Sequence, residues 1–259
     1  MPIMGIGGSP FGARLRQWRT ARGVSQLALA GRIGSTSRHV SFLETGRSRP
    51  SAAMVLRLGD ALDLTLRERN EMLHAAGLAA QFPEAGLGSV DLAPFRAAIE
   101  SLLAAHLPYP AMVLDRHWNV LMANAACDRL YGDALAGSNI VRRFLADPRA
   151  RDMVVNWPEI ASAALGRLRR ESERTPFDQT LAGLLREARA ALGDLPDRPQ
   201  QAADFVLCPW YRVGDRIIKV VGVAAHFDAT AEVTLNELRI ELSYPLDQAS
   251  DEFFRSIAG

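Results

Sequence analysis

Residues 15–51 read LRQWRTARGVSQLALAGRIGSTSRHVSFLETGRSRPS, and the spacing of their apolar positions, caps and glycines decides the fold of the first third of the chain. Phe11, Leu15 and Trp18 recur at helical spacing and the run stops at Arg22-Gly23, where a glycine ends a helix. Ser25 stands at an N-cap position, followed by Gln26 and an apolar face of Leu27, Ala30 and Ile33 that closes at Gly34. Thr36 and Ser37 then open a third short helix whose Val40 and Leu43 face inward, and Gly46 stops it.

Working outward, Ser51 and Thr65 offer caps for two further helices that carry Met54, Val55, Leu58, Leu62, then Leu66, Met72 and Leu73. Five short helices over residues 10–80 are expected, preceded by a disordered leader over 1–9. Helices two and three are joined by a brief turn containing glycine. Such a pair crosses steeply, so the later helix can protrude into a major groove about 12 Å wide.

Charge points the same way. Residues 10–80 hold eleven arginines against five acids, which leaves the remainder of a +1 chain acidic. A basic first domain beside an acidic second one suggests a polyanionic partner for the first alone, although such halves also arise by chance.

The sets Leu-Arg-x-x-Arg, Gly-x-Ser-Gln-x-x-Leu-Ala and Val-Ser-x-Leu-Glu-x-Gly-x-x-x-Pro within 15–51 resemble the XRE-like, phage-repressor-like helix-turn-helix regulators. Carried over by position, the resemblance implies double-stranded DNA as partner, normally a two-fold operator read by a homodimer. It places Gln26, with Ser25 at the same helix start, on a backbone phosphate. Ser37, Arg38 and Phe42 fall on the reading face of helix three, where Arg38 can donate twice to a guanine edge. Phe42 either lies on a thymine methyl or packs on a neighbouring helix. Thr36 and His39 reach phosphate or base, unless Thr36 only caps its helix. Arg47 and Arg49 are expected on phosphate, with a solvated loop as the plain alternative. Arg19 and Glu44 match an internal ion pair that holds the reading helix at its angle.

At 259 residues the chain is long enough for two domains. Its 48% hydrophobic and 23% charged composition, with no run of about 18 apolar residues, fits a globular protein with no membrane span. An uncharged, weakly apolar start argues against export. Cys127 and Cys208, the sole cysteines, lack metal or disulfide spacing and fit a reducing compartment. A cytoplasmic protein is expected.

Residues 81–94 form the expected linker, the stretch 81–91 carrying Pro83, Gly86 and Gly88 with little periodicity. The second domain, 95–259, opens with an amphipathic helix over 95–107 and two strands over 111–114 and 118–122. Helices are expected around 125–131, 140–145, 149–155, 158–173 and 177–191. Strands return over 205–213, 216–227 and 232–242, and a last helix spans 247–257.

This α+β order with an antiparallel sheet resembles PAS-like sensor domains. More narrowly, Tyr109-Pro-Ala-Met-Val-Leu-Asp115, Trp118-Asn-Val-Leu-Met-Ala-Asn124, Asn139-x-x-Arg-x-Phe144 and Trp157 resemble the MmyB-like ligand-binding family over roughly 95–228. That resemblance implies a bound fatty acid or similar small apolar molecule, with no cofactor required. Trp118, Phe144, Trp157, Phe205 and Trp210 are the pocket candidates, though aromatic residues at such spacings also build plain cores. His226, also a candidate, reads first as a hydrogen-bonded core residue.

Enzymatic signatures are missing from the sequence: there is no Gly-x-Ser-x-Gly, Walker loop, His-Glu-x-x-His or Cys-x-x-Cys, and Gly5-Ile-Gly-Gly8 follows no strand. The expectation is a non-enzymatic regulator. Its second domain either senses a ligand or only pairs subunits.

Overall fold

The structure is a computed structural model that describes residues 9–132, 134–193, 208–227 and 231–257. Two units divide the chain, one of residues 1–86 with 229–236 and the other of 87–228 with 237–259.

In the first unit five helices follow at the expected places: α1 (Pro10–Ala21), α2 (Gln26–Arg32), α3 (Ser37–Glu44), α4 (Ala52–Ala61) and α5 (Leu66–Ala75). Each starts on a hydroxyl cap, Ser9, Ser25, Thr36, Ser51 and Thr65, and Thr65 closes a reciprocal capping box with Glu68. Phe11, Leu15, Trp18, Leu29, Val40, Leu43, Val55, Leu58, Met72 and Leu73 interlock at the centre, all buried. Gly12 allows α1 to cross the end of α3 closely: a Cβ there would stand 2.7 Å from Leu43 O and still nearer Glu44 O.

The stretch read as a linker is partly built into this unit. Asn70 on α5 donates to Phe82 O at 2.7 Å and accepts from the Gln81 and Phe82 amides, both at 3.1 Å. Ala85 N donates to Glu232 Oε1 at 2.7 Å, and Val233 N donates to Pro83 O at 2.8 Å. Two pieces of chain distant in sequence are thus clasped together beside α5.

The second unit begins with α6 (Ala93–Ala105) and the strands β1 (Ala111–Leu114) and β2 (Val120–Ala123). Then come α7 (Ala125–Tyr131), a π-helical turn over Arg142–Ala146, α8 (Pro148–Met153), α9 (Trp157–Arg174) and α10 (Gln179–Leu192). The strands β3 (Trp210–Val213), β4 (Arg216–Ala225) and β5 (Arg239–Pro245) complete one antiparallel sheet in the order β2-β1-β5-β4-β3. All of β1 is buried: Met112 and Leu114 join the main core beneath α7 to α10, while Ala111 and Val113 lie outside that cluster, as do Ile99 and Leu103 of α6.

One expected strand is different. Residues 232–242 do not form one strand; α11 (Val233–Glu237) comes first and β5 follows. The Glu232 side chain accepts from Leu235 N at 2.6 Å, a local cap that turns the chain into a helix before the apolar alternation begins. The final α12 (Gln248–Ser256) starts on Asp247 and buries Phe253 and Phe254.

Candidate DNA interface and ligand cavity

On helix α3 the face expected to read bases is turned outward. Ser37 and Arg38 are exposed, and His39 and Phe42 are partly so, while Val40 and Leu43 fill the core. Two guanidinium groups lie over the Phe42 ring, with Arg38 Cζ 5.2 Å and Arg47 Cζ 5.8 Å from its centre. Neither alternative read for Phe42 anticipated this. The ring holds one arginine of the helix and one of the following loop within cation–π reach, which limits the conformational freedom of both side chains. Arg49 is exposed without this support.

Ser25 and Thr36 spend their hydroxyls on the caps of α2 and α3, accepting from Ala28 N at 3.1 Å and His39 N at 3.2 Å. Behind them lies the carboxylate of Glu44, almost wholly buried. It accepts from Arg19 Nε at 2.5 Å, from Arg19 Nη2 at 3.2 Å and from Gln26 Nε2 at 2.7 Å. Arg19 Nη1 also donates to Val24 O at 2.8 Å. The bond to Glu44 raises the Arg19 guanidinium further above its ordinary value, against the opposing effect of burial. Gln26 is therefore oriented by the ion pair, a link between the two that spacing alone did not suggest.

In the second unit a cavity of about 390 Å³ lies between the sheet and helices α7 and α9, within the range of small-molecule sites. Of the six candidates, Trp118 and Phe144 line it. Trp157 does not: it is buried in the adjoining core, where its Nε1 donates to Phe144 O at 2.7 Å. Trp210 lies on the edge strand with Lys219 Nζ 4.9 Å from its ring. His226 is exposed at the end of β4, its Nδ1 3.1 Å from Leu238 O. Phe205 lies outside the described residues.

Trp118 is the best-held residue of the wall. Its backbone adopts a left-handed φ of 67°, a costly state for a bulky side chain and one found where surroundings over-determine it. Trp118 N donates to Asp115 O at 3.1 Å and Trp118 O accepts from Ile140 N at 2.9 Å. Its indole donates to Glu171 Oε2 at 2.6 Å, while Arg239 and Arg167 place Cζ at 4.2 and 5.0 Å from its ring. These charges close into an alternating ring. Arg167 meets Glu171 at 3.0 Å and Glu241 at 3.6 Å, and Arg239 meets Glu241 at 2.9 Å and Glu171 at 3.5 Å.

Arg239 is only 6% exposed, and its Nε, although close to Glu241, is off the line of a hydrogen bond. Burial pulls its guanidinium below the usual arginine value, and Glu241 opposes that. The sequence held a signal for this ring: Arg167 and Glu171 are four apart on one helix, and Arg239 and Glu241 two apart on one strand, so each pair shares a face.

The same wall carries Tyr131, Tyr211 and Cys208, none of them anticipated as cavity residues. Cys208 Sγ accepts from Gly222 N at 2.7 Å, and burial raises its thiol above the ordinary value. Among the described residues no group of three or more His, Cys, Asp or Glu side chains is arranged to hold a metal ion, and no helix is long and apolar enough to cross a membrane.

Comparison with known proteins agrees with this geometry. Residues 95–257 match the family model of the MmyB-like transcription regulator ligand binding domain, and residues 10–72 match a helix-turn-helix domain. A solved structure, the restriction-modification controller protein C.AhdI from Aeromonas hydrophila, is 41% identical over an alignment covering 24% of this chain and 88% of that one. Its TM-score of 0.23 is too low for the superposition to bear on the fold. No curated protein matches the chain.

Proposed function

Since the chain belongs to the family of MmyB-like transcription regulators and binds DNA through its helix-turn-helix, we propose that a small apolar molecule of the fatty-acid kind occupies the cavity and changes operator affinity. The cavity between α7, α9 and the sheet is the observation that carries this reading. Its lining is chiefly apolar, including Met112, Ile140, Val141, Phe144, Leu145 and Ile160, as an alkyl chain requires. The regulator acts as a homodimer on a two-fold site, in the cytoplasm where DNA lies, with no cofactor and no catalysis.

Coupling needs the ligand to favour one of two arrangements. The clasp beside α5 offers a route, because the chain it holds at Glu232 and Val233 is the connection between β4 and β5. Those strands contribute Val220, Gly222, Ala224, Glu241 and Ser243 to the cavity wall. A ligand that shifts them pulls on a segment hydrogen-bonded within the DNA-binding unit. Coupling of about 1–3 kcal/mol, roughly 5- to 150-fold in affinity, is typical of such linkage.

The test is a titration of operator DNA by fluorescence anisotropy with and without decanoate, beside native mass spectrometry of the purified protein. A dimer that takes up decanoate and changes operator affinity at least fivefold is the expected result, fivefold being about the lower end of ordinary coupling. Uptake with equal operator affinity removes the sensing role and leaves the second domain to pair subunits.

A further inference from the structure

Tyr131 on α7 and Tyr211 on β3 both line the cavity, and their hydroxyl oxygens are 2.7 Å apart. The rings meet edge to face at 5.8 Å, and Phe144 packs against Tyr131 the same way at 5.8 Å. Burial pushes both phenols well above the ordinary tyrosine value, so both are neutral wherever the protein is folded near neutral pH. Two neutral hydroxyls carry two protons, and the bond between them uses one. Whichever tyrosine accepts keeps a proton for which no acceptor is present among the described residues. A buried donor in that state favours any occupant that brings an acceptor to it.

We propose that the tyrosine pair is the polar recognition point of the cavity and selects an apolar ligand bearing a neutral oxygen acceptor, such as a carbonyl, ether or hydroxyl oxygen. This rests on the reading of the cavity as a ligand site and narrows the fatty-acid kind to molecules whose alkyl chain carries an uncharged oxygen, with decanoate as a weaker occupant. A neutral oxygen is favoured over an anion because the surrounding cations are already matched. Arg167 and Arg239 are balanced by Glu171 and Glu241, and Arg143 lies with Cζ 5.7 Å from the Tyr131 ring centre, stacked on the ring. Arg170, which also lines the cavity, is exposed, so a carboxylate paired with it keeps contact with solvent.

The experiment compares 2-decanone with 2-methyl-1-decene, in which a methylene replaces the carbonyl oxygen at nearly constant shape, and with decanoate at pH 8. Binding is followed by intrinsic tryptophan fluorescence, Trp118 being in the wall. The double variant Tyr131→Phe/Tyr211→Phe is expected to lower the ketone-to-alkene affinity ratio roughly tenfold, the value of one neutral hydrogen bond. Each single variant leaves one donor and is expected to keep most of the preference, which a purely structural role for the pair would not produce. Thermal unfolding checks that the variants fold; the singles alone decide the matter if the double does not, because loss of the ratio in both singles contradicts a shared donor.

An unchanged ratio in the double variant overturns the proposal while leaving the cavity a ligand site. A loss for decanoate as large as that for the ketone overturns the neutral class. If no probe binds even the unaltered protein, the cavity reading itself fails, and the proposal with it.

Discussion

Replacing Glu44 with alanine removes the acceptor of three hydrogen bonds at once, two from Arg19 and one from Gln26. The Glu44 side chain is 4% exposed and that of Arg19 15%, so the guanidinium is left largely buried with only Val24 O as partner. Removing one member of a buried pair costs about 3–5 kcal/mol. The partial exposure of Arg19 admits water and places this case near the lower end, about 3 kcal/mol. In a domain of this size each kcal/mol moves the midpoint by about 4–8 °C, so the unfolding transition of the first unit should fall by about 12–24 °C. Calorimetry of the whole chain measures it, and the relevant transition is the one that operator DNA raises. Glu44→Gln, which keeps an oxygen acceptor but not the charge, should lose about half as much. A fall below about 4 °C for the alanine variant would show that solvent already satisfies Arg19 and that the pair does not hold α3 in place.

Arg38→Ala should weaken operator binding by about 1–3 kcal/mol and relax preference at one base pair. Arg47→Ala should instead lower affinity for all sequences alike and reduce the salt slope by about one, as anisotropy over a salt series will show. Gly12→Ala forces a methyl onto the Leu43 and Glu44 carbonyls and should destabilise the first unit by about 1–3 kcal/mol or more in urea unfolding; a neutral result would mean that α1 can slide. Burial pushes the Cys127 thiol up to about 12, so the native state keeps a proton that the unfolded chain releases from about pH 8.5. Stability from this group is complete below pH 8.5 and declines as pH rises toward 12; Cys127→Ala should flatten the decline measured between pH 8.5 and 10, and an unaltered slope would contradict the assignment. Glu232→Ala removes the acceptors of both Ala85 N and Leu235 N, opening the clasp and the start of α11, and should leave decanoate uptake intact while shrinking its effect on operator affinity, a pairing that two titrations resolve.

What the sequence determined by itself is what local rules write. Helices α1 to α5 lie where hydroxyl caps, glycine stops and a 3.6-residue apolar period placed them, because each signal acts within one or two turns of chain. The Arg19–Glu44 pair and the outward placement of Ser37 and Arg38 on α3 followed from position within that motif. Tertiary structure alone decided which side chains became neighbours across long loops. Trp118 and Phe144 reached the cavity while Trp157 went into the core and Trp210 to an edge strand, and no spacing distinguishes these fates. The Tyr131–Tyr211 contact joins residues 80 apart, the Arg167–Glu171–Arg239–Glu241 ring joins a helix to a strand, and the clasp of Ala85 with Glu232 spans 147 residues. Such contacts form only once the elements that carry them pack together. The energy that selects them is burial of the whole core, which no single segment of sequence carries.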